Sequence, residues 1–143
     1  MVRGFDLDQA SGSGVEVQIL GNNITTASAA GIHLRGSVAY LGLQMVGNNV
    51  AVAGNALKVG SGGANGLSGI ISANSFTSQQ NSVAVQLGGN GVVFTNNHVQ
   101  NDGSSSAALT VNNSTSNVFL GPNFYRSSPE SVRTPLDMRV LMR

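Results

Sequence analysis

The chain has 143 residues, a formal net charge of +1 and only 9% charged residues, with 19 glycines, 18 serines and 16 asparagines; an ordinary soluble domain is about 25% charged. That length suits one domain with its own core, and a near-neutral balance without a basic stripe gives no reason to expect nucleic acid. No cysteine is present, which excludes disulfides and thiolate metal sites, and no apolar run approaches the roughly 20 residues of a membrane span.

Residues 1–14, MVRGFDLDQASGSG, lack the apolar stretch of a signal peptide. They hold the one close carboxylate pair, Asp6 and Asp8, on an extended segment that puts both on one face. The plainer reading of the pair is a solvated edge. The first strong phrase is ILGNNI at 19–24, and it returns as MVGNNV (45–50), ISANSF (71–76), FTNNHV (94–99) and FLGPNF (119–124). A second phrase falls between these copies: GIHLRG (31–36), ALKVGS (56–61), VQLGG (85–89) and LTVNN (109–113). The residues closing the first phrase, Ile24, Val50, Phe76, Val99 and Phe124, are 26, 26, 23 and 25 apart. Two phrases recurring in phase are the mark of a repeat architecture.

Within each phrase apolar and polar residues alternate, the period of a strand with one buried face. Ile32 and Leu34 flank His33, Leu57 and Val59 flank Lys58, Val85 and Leu87 flank Gln86, and Leu109 and Val111 flank Thr110. Gly, Asn and Ser end each short run and turn the chain. A unit of about 25 residues cannot bury its own apolar face, but stacked copies can, with equivalent strands pairing in parallel. An antiparallel sandwich would use Asn65-Gly66 and Asn90-Gly91 as hairpin turns, yet it gives no reason for two phrases to stay in phase. The expected fold is all-β, a right-handed parallel β-helix of about five coils over residues 1–125. A capping or interchain segment is expected over residues 126–143. Asn22, Asn48, Asn74 and Asn97, with Pro122 closing the series, are expected to stack at one turn and bond their amides coil to coil.

These phrases, N-x-I/V/F followed by G-I-x-L-x-G over residues 14–125, resemble the right-handed parallel β-helix repeat of the pectate-lyase-like superfamily. That superfamily holds polysaccharide lyases, hydrolases, epimerases and bacteriophage tail spikes. The resemblance implies a polysaccharide-recognising module at an extracellular or virion surface, assembled as a homotrimer. The motif specifies architecture and says little about activity.

The outward residues of the second phrase, His33, Lys58 and Gln86, continued by Thr110, form a ladder where the resemblance places saccharide. With Arg35 they are the candidate ligand-binding residues, His33 and the cations being of the types a β-elimination uses; solvated ladder residues are the bland alternative. Catalytic residues are not assignable. The six carboxylates Asp6, Asp8, Glu16, Asp102, Glu130 and Asp137 leave positions 17–101 empty, which counts against a paired-carboxylate site of the glycosidase kind. An alternative is part of a lyase, epimerase or hydrolase completed elsewhere or between subunits; a third reading is a plain structural spacer. No cofactor is implied, and His33 and His98 do not share a phase that would make a metal site. GSGGANG at 60–66 has the glycines of a phosphate loop without its Lys-Ser/Thr, and reads as a connection.

The C-terminal YRSSPESVRTPLDMRVLMR leaves the repeat, and its Val132, Leu136, Met138, Val140, Leu141 and Met142 are expected to cover a coil or grip a neighbour. No comparable cap precedes the repeat, so coils are expected to continue upstream in a longer parent. Finally, the position three before the Gly of each opening phrase faces outward: Gln18, Gln44, Ile70, Val93 and Val118. Its last three members are expected to form an apolar ridge at the trimer axis.

Overall fold

In a computed structural model the described residues are 4–9, 16–26, 29–36, 42–59, 68–80, 82–88, 91–103, 107–111 and 118–127. They form short strands and no helix. The chain runs through β1 (Phe5–Gln9), β2 (Gln18–Leu20) and β3 (Asn23–Thr26), then β4 (Ile32–Gly36), β5 (Leu43–Val46) and β6 (Asn49–Val52). It continues through β7 (Leu57–Val59), β8 (Gly69–Ser72), β9 (Ser75–Ser78), β10 (Val85–Leu87), β11 (Val92–Thr95) and β12 (His98–Asn101). The last strands are β13 (Leu109–Val111), β14 (Val118–Leu120) and β15 (Phe124–Ser127).

Every third strand pairs, always in parallel. One sheet runs β1-β4-β7-β10-β13, a second β2-β5-β8-β11-β14 and a third β3-β6-β9-β12-β15. This is a parallel β-solenoid. Three strands per circuit, rather than two, follow from the opening phrase, which holds a strand on each side of its Asn turn.

The expectation of about five coils around one core is corrected to a solenoid of about three enclosed turns. The enclosed turns are β4–β6, β7–β9 and β10–β12, whose strands have partners on both sides. The ten largest fully buried side chains, among them Ile32, Met45, Phe76 and Phe94, all lie within them. Among the described residues, strands β1–β3 and β13–β15 pair on one side only; Ile19 and Leu109 are buried there, but the other inward residues seal less completely. Ile24 is half-buried and Tyr125 is 37% exposed, against full burial of Val50, Phe76 and Val99 in the same column. Phe76 and Phe94 stack in the middle of the core with ring centroids 6.3 Å apart.

The last repeat is also corrected by one residue. Val99 lies opposite Tyr125, and His98 opposite Phe124, so the closing phrase is LGPNFY at 120–125 and its spacing is 26. Phe124 faces outward, 60% exposed, with its ring 4.9 Å from that of His98. The asparagine column accordingly ends at Asn123 and not at Pro122. Asn97 donates its backbone N–H and Nδ2 to Asn123 Oδ1 at 2.9 and 3.1 Å. In the outward row Val93 lies opposite Phe119, not Val118. The connection 60–66 and residues 128–143 lie outside the described residues.

The turns before Asn22, Asn48, Asn74 and Asn97 take a left-handed backbone. Gly21 and Gly47 supply it with φ of 63° and 69°, whereas Ala73 and Asn96 adopt 55° and 54° against their preference. Gly69 meets a different demand: at φ 136° a Cβ there would collide with the backbone of Leu43 in the neighbouring turn.

Candidate functional site

In the first sheet the inward residues Ile32, Leu34, Leu57, Val59, Val85, Leu87 and Leu109 are buried. Alternation therefore turns the residues between them outward. Register aligns these: Asp6 opposite His33, His33 opposite Lys58, Lys58 opposite Gln86, and Gln86 opposite Thr110. Of the candidates from sequence, His33, Lys58 and Gln86 are thus brought side by side, with Thr110 at the end. Arg35 falls two residues along, opposite Asp8.

Sequence reasoning missed Asp6 as a member of the row. GFDLD at 4–8 has the alternation of GIHLR at 31–35, and that signal was available. The structure places Asp6 Oδ1 3.7 Å from His33 Nδ1, with the two side chains 22% and 11% exposed. At that distance a protonated His33 pairs with the carboxylate, and burial of the imidazole holds the contact away from bulk screening. At the other end, Thr110 Oγ1 is buried and lacks a hydrogen-bond partner among the described residues. Lys58 and Gln86, between them, are half-buried.

The row can accept and donate hydrogen bonds and carries both signs of charge; Asp6 is its one carboxylate, with Asp8 two residues along the same strand. Asp102 is exposed in the turn after β12 and accepts a 2.7 Å bond from Gln100 Nε2. At least three strand spacings, about 14 Å, separate its layer from that of Asp6. Two-carboxylate glycoside cleavage needs about 5–9.5 Å. Glu16 is exposed ahead of β2. Among the described residues no three His, Asp or Glu side chains converge as metal ligands, and no helix is long and apolar enough to cross a membrane.

The other outward faces differ in chemistry. In the third sheet Asn49 Nδ2 donates to Asn23 Oδ1 at 3.0 Å, and Ser75, His98 and Phe124 continue that row. In the second, Gln18, Gln44, Ile70, Val93 and Phe119 form a row with no charge in it.

Fold and register together define a parallel β-solenoid scaffold of the structural or ligand-binding kind. No protein-family model, no curated protein and no solved structure matches the chain.

Proposed function

We propose that this chain is a structural and glycan-binding solenoid module, with saccharide lying along Asp6, His33, Lys58, Gln86 and Thr110 and with Arg35 beside them. The observation that carries the reading is the strict register of five polar residues across five strands of one sheet. They span four strand spacings, about 19 Å, and present a carboxylate, an imidazole, an ammonium, an amide and a hydroxyl. Sugar hydroxyls both donate and accept, so a mixed row on a rigid sheet suits them better than a single charge does.

The finer assignment follows the resemblance of the repeat phrases: a tail-spike-like, polysaccharide-recognising protein of pectate-lyase-like kind, at an extracellular or virion surface, working as a homotrimer. The wide separation of Asp6 from Asp102 counts against glycoside hydrolysis by that pair. Titration calorimetry with acidic and neutral oligosaccharides tests the binding reading. It predicts saturable binding that His33→Ala and Lys58→Ala each weaken about tenfold, the loss of one charge-assisted hydrogen bond. Gln18→Ala, on another sheet, leaves it unchanged. Absence of binding to every oligosaccharide, or equal binding by all variants, would refute it.

A further inference from the structure

The asparagine ladder has a direction. Asn22 donates its backbone N–H and its Nδ2 to Asn48 Oδ1, both at 2.9 Å. Asn48 does the same to Asn74 and Asn74 to Asn97, at 2.9–3.0 Å, and Asn97 to Asn123. All these bonds point from the β1–β3 edge toward the β13–β15 edge. A backbone series runs the other way. The N–H groups of Asn49, Ser75, His98 and Phe124 donate to the carbonyls of Asn22, Asn48, Asn74 and Asn97 at 2.8–2.9 Å.

The two edges are therefore left with opposite halves of one pattern. Among the described residues, Asn22 Oδ1 and Asn23 N–H have no donor and no acceptor beyond them at the first edge. Asn123 N–H and Asn123 O are their counterparts at the last. The apolar columns match in the same way. Tyr125 closes the column that Ile24 opens, Leu120 the column of Ile19, and Val111, 40% exposed, the column of Leu7.

We infer that a second copy of this chain docks head to tail, β13–β15 of one against β1–β3 of the next. The step between copies is the translation that relates neighbouring turns within each copy. Asn123 N–H then donates to Asn22 Oδ1 of the next copy, and Asn23 N–H of that copy donates to Asn123 O. Tyr125 covers Ile24, so apolar surface meets apolar surface and no like charges are brought together in these columns. A two-fold arrangement would set Asn22 Oδ1 against its own equivalent, acceptor to acceptor. The pairing is thus heterologous, and a pure translation does not close into a ring.

The chain has no native cysteine, which permits a direct test on the full 143-residue protein. Thr25 and Arg126 are the exposed first and last members of one register column. Within a chain they lie about 19 Å apart, too far for a disulfide, but across the proposed junction they are one strand spacing apart, within bonding reach. The double variant Thr25→Cys with Arg126→Cys, mildly oxidised, is expected to give a ladder of covalent multimers without a fixed upper size. Thr25→Cys with Phe119→Cys, which lies on another sheet, gives none. Lateral association through the Ile70–Phe119 face alone keeps positions 25 and 126 far apart, so by itself it does not produce the ladder. Oxidised double variant that stays monomeric, whether because residues 128–143 cover the edge or because the ends repel, would overturn the inference. Equal ladders from both pairs would overturn it too.

Discussion

Asn74 shows how much one amide does. It is buried, accepts from Asn48 N–H and Nδ2, and donates to Met45 O and Ser72 O at 2.9 Å. Replacing it with leucine strands Asn48 N–H and Met45 O away from water, and each orphaned buried group costs about 1–3 kcal/mol. Urea unfolding should therefore show Asn74→Leu to be destabilised by about 3 kcal/mol or more. Asn22→Leu, at the exposed start of the ladder, should lose about 1 kcal/mol. Next to it, Ala73 holds φ at 55°, a conformation that costs a non-glycine residue about 1–2 kcal/mol. Glycine there relieves that strain and forfeits about 0.4–1 kcal/mol through the freer unfolded chain. Ala73→Gly is thus expected to stabilise by about 0.5–1 kcal/mol, and a fall in the urea midpoint would contradict the turn assignment. The column was legible because the same residue type recurs at the same step. The Asp6–His33 contact was written more faintly: Gly4 and Leu7 repeat Gly31 and Leu34, but Phe5, Asp6 and Asp8 share no residue type with Ile32, His33 and Arg35.

At the scale of the strand, burial follows register and not residue type. Phe76 in β9 is fully buried and stacked on Phe94, so Phe76→Ala opens a cavity in the middle turn and should cost about 3–5 kcal/mol. Phe124 in β15 reads in the sequence as its equivalent, yet it lies opposite His98 and is 60% exposed. Phe124→Ala should cost less than about 1 kcal/mol, while a loss like that of Phe76→Ala would restore the original alignment. The alignment slipped for a physical reason. Phe119 and Phe124 satisfy an apolar pattern at a spacing of 25, whereas the hydrogen bond from Asn97 to Asn123 fixes a spacing of 26. Pro122 hid the break, since a ring that holds φ near −65° occupies the position where Gly21 and Gly47 are left-handed. The sheet edges were illegible for another reason: the same alternating phrase is sealed with a neighbour on each side and open with one, and a phrase does not record its neighbours.

Over the whole molecule, three sheets give three outward faces, and two carry a functional reading. The uncharged face bears Ile70, 48% exposed, and Phe119, 64% exposed, on either side of Val93. An apolar ridge of that kind is seldom left bare by a soluble monomer, and closed symmetry allows one ridge to serve three subunits. Sedimentation should show lateral association of the parent through this face and its loss in Val93→Asp, whose carboxylate would be buried there unpaired, while head-to-tail docking is left unaffected. A monomeric parent would remove the ridge from the assembly. The polar face carries the central claim, and amide chemical shifts of the labelled protein during oligosaccharide titration test it most directly. The account predicts that shifts concentrate in a line across four neighbouring strands, at His33, Lys58, Gln86 and Thr110. Shifts confined instead to the Gln18–Phe119 face, or absent at saturating saccharide, would contradict it.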